Sequence, residues 1–209
     1  MPAKKTAYHH GNLKAALVDL AERQLEAVGF ENLTMQSLTD GVGVQPSAAY
    51  RHFRNREFLL RTLAKRSFDR WHEEIKTIIE QSQPRQRVDA FLRFFLRSAI
   101  DRPQMFRLMF TSEYGRDSRS IEGMVSFLAL EKAIAQLSPE HDEETVRTCL
   151  LSIWATLHGA ALLLIEGRLQ RFYVGHMDTD VLIEHIIATH LQLPGNSGTV
   201  ARRSSGAVP

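Results

Sequence analysis

The chain has 209 residues, 44% hydrophobic and 24% charged, and its single cysteine excludes a disulfide-stapled fold. The longest purely apolar run, Gly159 to Ile165, is far short of the ~20 residues of a membrane span, and no apolar stretch follows Lys4 and Lys5, so a soluble, cytoplasmic protein is expected. The net charge of +2 divides unevenly, with 10 Lys/Arg against 6 Asp/Glu in residues 1–66 and 14 against 18 in residues 67–193, an asymmetry that suits one end meeting a polyanion.

The pattern is helical almost throughout, with no strand-type alternation. Leu13, Ala16, Leu17, Leu20, Ala21, Leu25 and Val28 share one stripe. They predict a helix from about Asn12 to Gly29, where glycine suits a left-handed cap. Thr34 is a good N-cap for a short helix through about Asp40. Gly41-Val42-Gly43-Val44 predicts a break, because two glycines and two β-branched residues stand together. Pro46 fits a first helical turn, so a two-turn helix is expected from about Gln45 to Arg51 or His52. A longer helix follows from about Asn55 to Ser82, ended by Pro84. The next carries Val88, Phe91, Leu92, Phe95, Leu96 and Ala99 at helical spacing. Pro103 restarts the chain into a short segment; residues 111–120 read as a loop and roughly 121–137 as a helix. Ser138-Pro139-Glu140 is expected to open a helix running to about Gly167, and a last helix covers about 179–193. The Gly/Ser-rich end from Pro194 reads as a disordered tail. The fold class is all-α, with about nine helices.

Thr34 to Phe53 has the spacing of a helix-turn-helix. In such a unit the first helix braces across the phosphate backbone while the second lies in the major groove of double-stranded DNA. Pro46 opens the second helix, and Ser47, Ala48 and Ala49 are small enough for close approach to the groove walls. Gln45 and Arg51 can hydrogen-bond base edges, and Arg51 can equally take a phosphate. Tyr50 and His52 suit phosphate oxygens, and Thr34 and Gln36 belong to the bracing helix. Arg56 would add a cation near the exposed amides that open the following helix. The alternative at this point is a plain helical hairpin with Tyr50 and Phe53 in its core.

Gly43-Val44-Gln45-Pro46-Ser47-Ala48-Ala49-Tyr50-Arg51-His52-Phe53, followed by Arg56-Glu57 and Leu59, resembles the recognition-helix signature of TetR-family transcriptional regulators. Tyr8-His9-His10-Gly11-Asn12-Leu13 resembles a start found in one branch of that family. Three positions depart from the usual pattern: Asp40-Gly41-Val42 replaces an alanine-rich helix end, Ala49 a Leu or Ile, and Arg56 a Lys. The resemblance implies a DNA-binding domain over residues 1–54, a helical ligand-binding and dimerisation domain over 55–193, and the tail at 194–209. It also implies a homodimeric repressor on a palindromic operator, released by a small-molecule effector of unspecified identity, with no membrane partner.

In the body, Val146, Leu150, Ile153, Leu157, Ala160 and Leu164 line one side of a helix, and Trp154, Ala161 and Ile165 widen the apolar surface. Together with the last helix this predicts a four-helix dimer interface through Ile153, Leu157, Leu164, Ile183, Ile186 and Ile187. Trp154-x-x-x-His158-Gly159 resembles a C-terminal domain type of the same family. Candidates for a ligand pocket are Trp71, Phe91, Phe95, Met105, Met109, Phe110, Trp154 and His158, although such stripes equally make plain core. No enzyme chemistry assembles. Cys149 and His158, nine residues apart on one helix, point to opposite faces, and the histidine spacings do not suit a metal. No cofactor and no metal are expected.

Overall fold

The computed structural model describes residues 13–116, 121–169 and 178–191; the Tyr8–Asn12 approach and the tail from Pro194 lie outside them. Ten helices and no strand occur among the described residues. They are α1 (Leu13–Asn32), α2 (Met35–Val42), α3 (Pro46–Tyr50), α4 (Arg56–Glu80), α5 (Pro84–Asp101), α6 (Pro103–Phe110), α7 (Glu113–Arg116), α8 (Ile121–Leu137), α9 (Glu143–Ile165) and α10 (Thr179–Leu191). The addition to the expected set is α7, a single turn inside the segment read as a loop. Its Gly115 sits so close to the end of α6 that a Cβ would fall 1.9 Å from the Met109 carbonyl oxygen.

Two compact units divide the chain: Met1–Thr77 with Arg97–Leu128, and Ile78–Leu96 with Ala129–Pro209. In the first, α1 packs on α2, α3 and α6. Leu17, Leu25, Leu33, Leu38, Phe53, Leu59, Leu60 and Leu63 are completely buried. Each such side chain contributes about 1.5–3 kcal/mol, which is what holds helices as short as α2 and α3. Helix α1 breaks where the sequence places its glycine: Gly29 has φ 76 and ψ 158, a region open essentially to glycine alone.

Two local expectations need correction. Gly41 and Val42 stay helical, and the left-handed cap is Gly43, at φ 77 and ψ 35. A Cβ at 41 would lie 2.6 Å from the tip of the Leu20 side chain across the α1–α2 contact, so a larger residue there requires Leu20 to turn aside. Helix α9 opens at Asp142, not at Ser138-Pro139-Glu140. The Asp142 carboxylate accepts the Thr145 amide at 2.8 Å, and Glu143 and Glu144 complete an acidic first turn. That geometry draws the Asp142 carboxyl below its ordinary range, through the hydrogen bond from Thr145.

An ionic network ties α1 to α4 and α6. Glu22 accepts Arg70 at 2.6 Å and Arg102 at 2.8 Å, and Arg66 pairs with Asp19 at 2.5 Å. Glu26 reaches from α1 to the start of α6, accepting the amides of Gln104 at 3.1 Å and Met105 at 3.0 Å. Helix α6 has no cap from its own residue Arg102, so a carboxylate from another helix supplies the missing acceptor. Burial pushes the Glu22 carboxyl upward, but the hydrogen bonds and charges of Arg70 and Arg102 outweigh it and hold the pKa below its ordinary 4.5. A depressed carboxylate contributes its stability above the unfolded value and loses it as pH falls through the folded one. The urea midpoints of the wild type and Glu22→Gln should therefore differ most near neutrality, and the gap should close as pH falls below about 4.5. A gap that stays constant with pH would remove this role from Glu22.

The second unit buries Val88, Phe91, Leu92, Phe95, Ile134, Leu150, Ile153, Leu157 and Ile183. Arg93 bridges Asp89, at 2.7 Å, and Glu184 of α10. Helix α9 has a mean hydropathy of 1.8 over its most apolar stretch, long and apolar enough to cross a bilayer by length and composition alone. Its buried face, Val146, Leu150, Ile153, Leu157, Ala161 and Leu164, packs in the unit as a core helix does.

Candidate nucleic-acid interface

The helix-turn-helix is built from local capping. Thr34 Oγ1 accepts the Ser37 amide at 3.1 Å, and the Ser37 hydroxyl donates back to the Thr34 carbonyl at 2.9 Å. Ser37 also donates to Gln24 of α1 at 3.3 Å, fixing the start of α2 against the first helix. At the other end the amides of Gly43 and Val44 both reach the Thr39 carbonyl, at 2.9 and 3.0 Å, and the left-handed Gly43 turns the chain. The Thr39 side chain is buried and satisfied by the Gln36 carbonyl at 2.9 Å.

Gln45 stands at the N-cap of α3 in extended conformation, its side chain making no capping bond, and Pro46 occupies the first helical turn. Helix α3 buries Ala49 on one side, and Phe53 just beyond its end is buried with it. The amides of His52 and Phe53 close onto the Ala49 carbonyl at 2.9 and 3.0 Å. Ser47, Tyr50, Arg51 and His52 are exposed, Tyr50 half so, while Pro46 and Ala48 are partly covered. The plain-hairpin alternative required Tyr50 in the core. The chain buries Phe53 and leaves Tyr50 in solvent, so one five-residue helix has a packing face and a free polar face. Ala49, where the related signature has a larger residue, lies on the packing face. Of the bracing helix, Thr34 and Gln36 are exposed, with Gln36 donating to Asp40 at 2.7 Å.

Arg56, expected near a phosphate, points inward in the DNA-free chain. Its guanidinium donates to the carbonyls of Leu33 at 2.6 Å, Glu31 at 3.1 Å and Phe30, at the end of α1. Those carbonyls sit where a helix leaves acceptors unsatisfied, so the cation is drawn inward to them. Arg54, not among the residues expected from the sequence, is an exposed cation lying 5.5 Å over the Phe58 ring. Its signal was available as a basic residue in the turn between the reading helix and α4.

The proposed pocket residues divide between the units. In the first, the Trp71 indole donates to Ser98 at 3.1 Å, its ring meets Phe110 at 5.7 Å, and the Ser67 hydroxyl donates to the Met105 sulfur at 3.0 Å. Met109 is buried in the same unit. In the second, Phe91 lies 6.4 Å from Phe95, which meets Trp154 at 5.3 Å and His158 at 4.9 Å. His158 Nδ1 lies 3.1 Å from the Trp154 carbonyl, which assigns the ring proton to Nδ1. Of the expected dimer residues, Ile153, Leu157, Leu164, Ile183 and Ile187 are buried within the single chain and Ile186 half-buried. Side chains already covered have little surface to offer a second subunit; the apolar residues that these helices leave most exposed are Leu151 and Val181.

Among the described residues no group of three or more His, Cys, Asp or Glu is placed to hold a metal ion. No curated protein sequence matches the chain. Residues 17–63 match the family model for bacterial regulatory proteins of the TetR family. Residues 88–190 match that for the tetracyclin repressor-like C-terminal domain. Among solved structures, a protein with unknown function from Rhodococcus sp. RHA1 is 25% identical, with a TM-score of 0.70 over 90% of this chain and 97% of its own. A TetR/AcrR-family transcriptional regulator from Thermobifida fusca is 16% identical, TM-score 0.65, over 87% and 97%. AibR, solved with isovaleryl coenzyme A and operator DNA, is 16% identical, TM-score 0.58, over 86% and 96%. With an N-terminal and a C-terminal model of one family matched in succession, and an exposed reading helix on a helix-turn-helix, the chain belongs to the TetR family of DNA-binding transcriptional regulators.

Proposed function

We propose that the protein is a cytoplasmic, homodimeric repressor that binds a palindromic operator and is released by a small-molecule effector. The observation that carries the reading is the free face of α3, where Gln45, Ser47, Tyr50, Arg51 and His52 stand clear of a buried Ala49 and Phe53. Gln45 and Arg51 supply base-edge donors, Tyr50 and His52 hold phosphates, and Pro46 and Ala48 let the backbone approach. Residues 1–54 are the DNA-reading part, and 55–193 carry effector binding and dimerisation. The family model over residues 88–190 supports a tetracyclin repressor-like C-terminal domain, to which we assign the Trp154-x-x-x-His158-Gly159 element. The aromatic clusters around Trp71 and Trp154 are the places to seek effector contacts, and the acyl-CoA ligand of AibR makes acyl-CoA thioesters the first class to try.

An effector acts only if it binds a DNA-incompetent conformation more tightly than the competent one. Selection of bound duplexes from a random pool should return two inverted half-sites about one helical turn apart, with affinity falling steeply as salt rises. Recovery of no enriched sequence, with binding insensitive to salt, would replace this reading with that of a helical protein that holds a small molecule and leaves DNA alone.

A further inference from the structure

We propose that Arg56 is a positioning residue, a clasp that closes the helix-turn-helix and makes no contact with DNA. The proposal uses the DNA-binding reading for its consequence but stands on contacts within the free protein.

Arg56 is the first residue of α4, a 25-residue helix. A cation at that end opposes the helix dipole, so on electrostatic grounds alone it should face a phosphate or be absent. It faces the opposite pole of another helix instead. Nε donates to the Leu33 carbonyl at 2.6 Å and Nη2 to the carbonyls of Phe30 and Glu31. The turn it holds follows the break at Gly29, where φ is 76, so the chain from 30 to 33 leaves the axis of α1 and needs acceptors satisfied from outside. The Asn32 side-chain amide donates to the Val28 carbonyl at 2.9 Å, and the guanidinium supplies donors to the carbonyls at 30, 31 and 33.

The location of these bonds gives them their consequence. Leu33 immediately precedes Thr34, the N-cap of α2, and Arg56 immediately follows Asn55, whose side chain accepts the Phe58 amide at 2.9 Å and so starts α4. One side chain thus joins the two ends of the 34–55 segment, which contains the whole of α2, the turn and α3. Helix α3 is only five residues long and has no side-chain cap, so its direction is set by how its ends are fixed. Phe53 fixes one end from within the core, and the Arg56 clasp fixes the frame around it. A planar guanidinium can spread across three carbonyls, whereas a lysine ammonium of similar reach is a single point charge.

The test uses full-length Arg56→Gln and Arg56→Lys beside the wild type and Arg51→Gln. Each is titrated onto a mixed-sequence duplex over a range of salt concentrations, and each is followed by hydrogen exchange without DNA. Both Arg56 variants should lose roughly tenfold or more in affinity at every salt concentration, with the slope of log affinity against log salt unchanged. On a mixed-sequence duplex, with no matched base edge, Arg51 takes a phosphate instead, so Arg51→Gln should lower that slope by about one per protomer. Without DNA, the amides of residues 30–38 and 46–53 should exchange faster in both Arg56 variants. A slope lowered by about one in Arg56→Gln, with Arg56→Lys behaving as wild type, would make Arg56 a phosphate contact and overturn the clasp. Unchanged exchange in the free variants would overturn it as well. If Arg56→Gln does not fold, Arg56→Lys, which keeps the charge and the stem, decides the matter by the same two measurements. If the wild type shows no salt-dependent binding, the DNA reading fails, while the exchange data still decide the clasp.

Discussion

Phe53→Ala should destabilise the protein by about 3–5 kcal/mol in urea unfolding, the range for removing a fully buried aromatic ring from a core. Phe53 has no exposed surface, its amide bonds to Ala49 at 3.0 Å, and its ring lies 6.3 Å from Phe58. It therefore joins the end of α3 to the beginning of α4. A helix of five residues has no stability of its own, so losing the ring should disorder the reading helix before the rest of the unit. DNA affinity measured at a temperature where the variant is still folded should fall further than the lost stability alone accounts for. Tyr50→Ala should do the reverse, leaving the melting curve nearly in place while weakening DNA binding, because Tyr50 is 50% exposed and contributes little to the core. A loss of less than about 1 kcal/mol for Phe53→Ala would show that the ring is not the anchor described.

Under the proposed homodimer, Ala155→Arg should leave the protein monomeric. From Thr148 to Ile165, α9 contains no Asp, Glu, Lys or Arg, yet Thr148, Leu151, Ser152, Ala155, Thr156 and Gly159 are exposed in the single chain. Leu151 is 61% exposed, and a Cβ on Gly159 would meet nothing within 4 Å. Val181 of α10 is 43% exposed in the same unit. A long uncharged face with small residues in solvent is unusual for a monomer and suits another helix at close range. An arginine at its centre would place an unpaired charge in the contact, at a cost of about 3–5 kcal/mol, a factor of hundreds to thousands in association. Light scattering on eluting protein would read the mass directly. The same variant should lose most of its affinity for a two-half-site duplex while keeping weak binding to one half-site, since the avidity of the pair is gone. A dimer that survives the substitution would move the interface elsewhere on the body, and a monomeric wild type at micromolar concentration would end the dimer reading altogether.

Much of the local structure was legible because it rests on residues close in sequence. Thr34, Pro46 and Pro103 mark helix starts through bonds or ring constraints that involve only the next few residues, and each stands at the start of its helix. The start of α9 is ambiguous in the sequence because Ser138 and Asp142 are both plausible caps. The Thr145 amide settles on Asp142, which has two acidic residues directly behind it. Gly41 illustrates the limit of propensity: the low helix preference of glycine is real, but α2 packs close against the Leu20 side chain of α1 and the helix continues through it.

The reading face of α3 needed both kinds of information. Gln45 to Phe53 identified the unit, but which of its two aromatic residues faces the core depends on the packing of α3 against α1 and α2. The apolar stripe of α9 follows from its spacing, whereas what covers it follows only from the packing. Ile153 and Leu157 are covered by their own unit, and the small residues beside them are exposed. Periodicity reports which side chains share a face but not what that face meets.

The all-α class, most of the helix starts and the reading-helix signature follow from neighbouring residues, because capping, proline constraints and apolar spacing act over a few residues. The charge division between the first 66 residues and the body was likewise legible before any fold was known. Tertiary structure alone decided the partners of long charged side chains. Arg56 lies within three residues of the signature and carries the charge of a phosphate contact, yet it reaches back 23 to 26 residues to the end of α1. Glu26 likewise caps a helix 78 residues away. A guanidinium or carboxylate on a flexible stem takes the strongest unsatisfied dipole within its reach, and only the packing of the helices fixes which dipole that is.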